Sequence, residues 1–119
     1  MRKIGVFFSI FSVALLLLLS GCAKDDTQIT GNVTYVAHSD GKEYIADGAT
    51  VYLMIAGSET DYELKVTANS DGDYTFYPVP DGDYYIEAEY TYLLDNYTGK
   101  TAEFSAKGKD DLLFNIKMD

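Results

Sequence analysis

VTANSDGDYTFYPVPDGDYYIEAEY, Val66 to Tyr90, holds two Asp-Gly pairs, Asp71-Gly72 and Asp81-Gly82, each followed by alternating residues. Glycine at such places takes the positive φ of a tight turn, and the aspartate before it bonds nearby backbone amides. After the second turn Tyr84, Ile86, Ala88, Tyr90 and Tyr92 share one parity, while Tyr85, Glu87, Glu89 and Thr91 share the other. A period of two is a strand with one buried face. After the first turn Asp73-Tyr74-Thr75-Phe76 starts a strand that Pro78 stops or confines to an edge, since proline has no amide for a ladder.

The same period extends in both directions. In TQITGNVTYV, Ile29, Gly31, Val33 and Tyr35 fall on one face, with Gly31 suited to a bulge or a close neighbour. Ala37 to Gly48 is polar and reads as a loop around Tyr44 and Ile45, with room for a short edge strand. Ala49 to Ala56 points Val51, Leu53 and Ile55 inward and Thr50, Tyr52 and Met54 outward, as a central strand with partial outer cover. Asp61 to Ala68 puts Tyr62, Leu64 and Val66 inward and, being so close, is expected to pair with the strand from Asp73 as an antiparallel hairpin. Leu94 to Gly99 reads as a loop. Thr101 to Ala106 and a last strand carrying Leu112, Phe114, Ile116 and Met118 complete seven. Seven short strands at this spacing, with no helical period, predict an all-β, antiparallel Greek-key sandwich, with a closed barrel as the alternative.

The first residues follow a different logic. Met1-Arg2-Lys3 precedes an apolar run, Ile4 to Leu19, too short for the roughly 20 residues of a spanning helix. That is the pattern of a secretory signal. Leu19-Ser20-Gly21-Cys22 resembles the bacterial lipobox, which implies cleavage before Cys22 and lipid on its sulfur. Residues 1–21 are then a signal peptide, 22–27 a lipidated tether and 28–119 the sandwich domain. Each buried acyl CH₂ contributes about 0.8 kcal/mol, so two or three chains such as palmitate anchor firmly. Lys24-Asp25-Asp26 resembles the surface-export signal of Bacteroidota-type lipoproteins. It implies an outer-membrane protein displayed at the cell surface, with a periplasm-facing anchor as the alternative.

Loss of Arg2 and Lys3 takes the formal charge from -10 to -12, which disfavours nucleic acid and direct attraction to anionic lipid. Cys22 is the one cysteine, so no disulfide staples the domain.

The order ITGNVTY, ADGATVYL and VTANSDGDYTFYPVPDGDYYIEAEY resembles the carboxypeptidase regulatory-like and Cna-B-like families. The matching positions are Gly31-Asn32-Val33, Ala49-Thr50-Val51, Thr67 through Phe76 and Gly82-Asp83-Tyr84. The resemblance implies a transthyretin-like (prealbumin-like) sandwich used for display, spacing or adhesion, without catalytic residues or cofactor. It does not extend to the internal Lys-Asn isopeptide bond of some members, because the first strand has no lysine and Asn115 opposes the inward parity of the last.

Other constellations read as structure. Asn69, Asp71, Asp73, Asp81 and Asp83 offer oxygens to calcium, but setting Gly72 as position six of an EF-hand loop puts Thr67 at one and Pro78 at twelve, so no metal site is expected. His38-Ser39-Asp40, adjacent in an extended segment, cannot form a nucleophilic relay. Glu87 and Glu89, about 7 Å apart along one strand face, read as solvated. Ten of the 11 tyrosines divide by parity, Tyr44 lying in the loop. Tyr35, Tyr62, Tyr74, Tyr84, Tyr90 and Tyr92 are expected in the core. Tyr52, Tyr77, Tyr85 and Tyr97 are expected outside, as candidate contacts to a glycan or a protein partner. The sequence thus predicts a lipid-anchored, non-enzymatic interaction or structural module, with a carbohydrate-binding lipoprotein as the alternative.

Overall fold

The period of two becomes burial in β1 (Thr27–Val36), where buried and half-buried residues alternate over all 10 positions. The computed structural model describes residues 26–119. Cys22 and the signal lie outside them, whereas Thr27, expected in the tether, is wholly buried at the start of β1. After β1 come β2 (Glu43–Ile45), β3 (Thr50–Ile55), β4 (Tyr62–Thr67), β5 (Asp73–Val79), β6 (Gly82–Tyr92), β7 (Asp95–Lys100), β8 (Phe104–Ala106), β9 (Asp111–Leu113) and β10 (Ile116–Met118). No helix occurs among the described residues.

Two sheets face each other. In the first, β1 is central, with β5 and β2 antiparallel along one side and β9 and β10 parallel along the other. In the second the order is β4-β3-β6-β7, all antiparallel, and β8 continues the β7 side of β6. Ile29, Val33, Val51, Leu53, Phe76, Ile86 and Met118 fill the space between. Their burial is the main term holding the sheets together, at about 25 cal/mol per Å² of apolar surface.

Ten strands, not seven, therefore lie among the described residues, along three tracks in one sheet and four in the other. Two expectations are corrected. The Leu94 to Gly99 segment is mostly strand, β7, because Tyr92 and Asp95 pair across a two-residue turn. And β4 does not pair with β5: the amide of Ala68 donates to the Ala49 carbonyl, holding β4 on β3, whereas the Val33 amide donates to the Gly72 carbonyl and draws β5 to β1 in the other sheet. β5 runs through Pro78 to Val79 with β1 as its one partner among the described strands, the edge position proline tolerates.

Gly31 has the close neighbour that its place in β1 suggested. A Cβ there would lie 1.8 Å from the Phe114 carbonyl oxygen. That carbonyl accepts from the Tyr74 hydroxyl at 2.6 Å, and the Asn32 amide donates to the Asn115 side chain at 3.0 Å. The last track is accordingly interrupted between β9 and β10 without a change of register. Gly72 has φ 81°, as expected; Gly82 lies outside the positive-φ region and leaves room for the Tyr84 hydroxyl, 3.0 Å from where its Cβ would be.

Candidate functional site

The outer face of the second sheet aligns ligand-capable side chains from four strands. Cross-strand register aligns Lys65, Tyr52, Glu87 and Lys100 in one row, Thr67, Thr50, Glu89 and Thr98 in a second, and Tyr62, Met54 and Tyr85 in a third.

Parity put Tyr62 inside, yet it is 48% exposed and stands on this outer face. The cause is a register shift between β3 and β4: Leu53 pairs with Leu64, but Met54 pairs with Tyr62, so Glu63 is the extra residue. A bulge turns every side chain beyond it to the other face. Tyr62 thereby meets Tyr52 edge to face, ring centroids 5.3 Å apart at 62°. Lys65 Nζ sits 5.7 Å from the Tyr52 centroid, and the Tyr52 hydroxyl donates to Glu89 at 2.8 Å. That hydrogen bond, ahead of burial, raises the Tyr52 hydroxyl above its ordinary pKa and fixes the ring.

Around this pair lies an open depression of about 430 Å³ lined by Tyr52, Met54, Glu59, Tyr62, Glu87 and Glu89. Glu59 also borders a second depression of about 340 Å³ with Tyr85, Lys100 and Glu103, and Glu89 borders a third of about 590 Å³ with Thr50, Asn96 and Thr98. Sharing Glu59 and Glu89, the three adjoin as a strip along the sheet, with aromatic plates in the middle and carboxylates, amide and hydroxyls along it.

The four expected contact tyrosines separate. Tyr52 belongs to the strip. Tyr85 faces it but is 8% exposed, because its hydroxyl donates to the Ser58 carbonyl and Lys100 caps its ring. Tyr77 is half exposed on β5, in the other sheet. Tyr97 does not face outward: it is 2% exposed, its ring against Tyr35 and His38 and its hydroxyl accepting the His38 amide. Tyr92, expected inside, is 48% exposed at the end of β6. The acidic turn residues are engaged in the fold. Asn69 Oδ1 accepts from the amides of Asp71 and Asp73, and Asp81 accepts from that of Gly108. Among the described residues no cluster of three or more His, Cys, Asp or Glu is placed to hold a metal ion.

The class defined by this architecture is the all-β sandwich of two facing sheets. A Pseudomonas aeruginosa structure, of a protein proposed to bind carbohydrate, is similar over 84% of this chain and 95% of its own, with TM-score 0.56 and 14% identity. A 5-hydroxyisourate hydrolase of Klebsiella pneumoniae is similar over 76% and 89%, with TM-score 0.42 and 22% identity. No family model and no curated protein matches the sequence. The expectation that this is not an enzyme is corrected: a β-sandwich fold does not by itself exclude catalysis.

Proposed function

We propose that this chain is a lipid-anchored carbohydrate-binding protein of the bacterial outer membrane, displayed at the cell surface through acyl chains on Cys22. The observation carrying the ligand class is the bulge at Glu63, which turns Tyr62 out of the core to stand beside Tyr52. A sugar ring has apolar C–H faces and an equator of hydroxyls. Tyr52 and Tyr62 offer plates to the faces, and Glu59, Glu87 and Glu89 accept from the equator. The strip of three depressions suits several sugars in a row. Its excess of carboxylates favours neutral glycans over uronic or sialic acids. The similar Pseudomonas chain proposed to bind carbohydrate points to the same ligand class.

Supporting the anchor are the basic start, the 16-residue apolar run and Leu19-Ser20-Gly21-Cys22. Metabolic labelling with an alkynyl fatty acid should tag the wild-type chain and leave Cys22→Ser untagged. Protease treatment of intact cells should remove the domain, and its survival until the outer membrane is opened would place it on the periplasmic side. On a glycan array, binding that Tyr52→Ala removes supports the ligand reading; an array without any binding contradicts it.

A further inference from the structure

At the opposite end of the sandwich from Thr27, a further pocket of about 300 Å³ is lined by Tyr35, Tyr44, Tyr92, Tyr97, Asp40 and Asp95, with Leu93 at its lip. Ten residues of β1 separate this end from Thr27, about 30 Å at strand rise. Tyr35 is the hub: its ring centroid lies 4.8 Å from Tyr97, 5.0 Å from Tyr90, 5.7 Å from Tyr44 and 6.1 Å from Tyr92. Tyr44 and Tyr92 remain 42% and 48% exposed, so the cluster is open to solvent.

Two carboxylates reach this aromatic cup, and no lysine or arginine lines it. Asp40 accepts from the Tyr44 hydroxyl at 2.6 Å and from the Lys42 amide at 2.9 Å, bonds that hold its carboxyl below the ordinary carboxylate range. Asp95 Oδ2 lies 3.9 Å from His38 Nδ1. Ring faces are the negative regions of the tyrosine quadrupole, and with carboxylates beside them they attract an organic cation. Beside the cup, Leu93 and Leu94 form the β6–β7 turn at φ 51° and 75°, 77% and 95% exposed. Both are in a backbone region that favours Asn and Gly, and neither side chain is buried within the described chain.

We propose that this pocket is a docking site for a protein partner, seating one of its arginine or lysine side chains in the tyrosine cup while Leu93 and Leu94 contact an apolar surface next to it. The charge of the cup selects the cation, and the two leucines select a macromolecule over a free ammonium compound. The acidic rim opposes seating of this tip on an anionic bilayer. The cup adjoins the third depression of the strip, which Tyr97 also lines, but Asp40, Tyr44, Tyr92, Leu93 and Asp95 line the cup alone, so the proposal stands whether or not the strip binds sugars.

The test titrates the full-length chain with acetyl-Leu-Arg-Leu-amide, its citrulline counterpart and tetramethylammonium chloride, following tyrosine ring signals by NMR. The arginine peptide should bind at least roughly tenfold more tightly than the neutral citrulline peptide. Combined Asp40→Asn and Asp95→Asn should abolish the difference, and Tyr92→Ala should weaken binding should the double variant not fold. Leu93→Asn with Leu94→Gly should weaken the peptide and leave tetramethylammonium unchanged, and Tyr52→Ala should alter neither. Equal binding of the two peptides, no peptide binding, or tetramethylammonium binding as tightly as the peptide would overturn the proposal. So would leucine-dependent capture of the chain by phosphatidylglycerol vesicles.

Discussion

Tyr62 stands edge-on to Tyr52, 5.3 Å between centroids, because one extra residue, Glu63, separates it from the ladder that places Leu64 inside. The pair is held from below by the sheet and from the side by Lys65 and Glu89, so its geometry exists before any ligand arrives. Tyr62→Ala should weaken glycan binding about tenfold, equivalent to ~1.4 kcal/mol. The half-exposed ring contributes little to the core, and the urea midpoint should move by no more than about 0.5 kcal/mol in stability. Isothermal titration beside urea unfolding separates the two effects.

Gly31→Ala should be among the most damaging small changes in the domain. The new methyl would meet the Phe114 carbonyl, a backbone atom fixed by its bond from Tyr74, and cannot be accommodated by a side-chain rotation. A loss of about 3 kcal/mol is expected from forced overpacking, read from urea unfolding.

Burial raises the pKa of the Tyr74 hydroxyl, which donates to the Phe114 carbonyl, well above the ordinary tyrosine range. A group with a raised folded pKa contributes stability that is complete below its unfolded value and is lost as pH rises towards the folded one. The domain should therefore lose stability progressively above about pH 10. Tyr74→Phe should be less stable at neutral pH by about 1 kcal/mol and should show a shallower alkaline decline in thermal melts.

The β6–β7 turn makes the opposite prediction. Leu93 and Leu94 occupy left-handed conformations that cost a bulky residue about 1–2 kcal/mol each. Replacing them with Asn-Gly should raise the melting temperature, since that pair is preferred in two-residue hairpins of this type. A melting temperature that falls instead would mean that the leucines pack usefully within the chain.

Much of this was legible in the sequence, and the failures have definite causes. Alternation is unbroken in β1, and the buried faces of β3 as far as Leu53 and of β6 as far as Ala88 follow from parity, whereas Met54 is buried and Ile55 and Tyr92 are exposed against it. Tyr62 and the β4–β5 pairing depended on information that parity lacks. A bulge costs one residue and leaves no composition signal, and the choice of sheet after the Asn69 turn is made by long-range bonds from Val33 to Gly72 and from Ala68 to Ala49. β7 was hidden because its turn is Leu-Leu, where Asn-Gly would have announced a hairpin. Tyr97 looked like a loop residue for the same reason, and its burial follows from β7 aligning it with Tyr90.

The most direct test of the carbohydrate reading is an NMR titration of the full-length chain with a neutral oligosaccharide selected on a glycan array, with tyrosine ring signals assigned. Saturable shifts are expected at Tyr52 and Tyr62, absent from Tyr77, with affinity lost in Tyr52→Ala. Shifts confined to other tyrosines, or a Tyr52→Ala variant that binds like wild type, would contradict it.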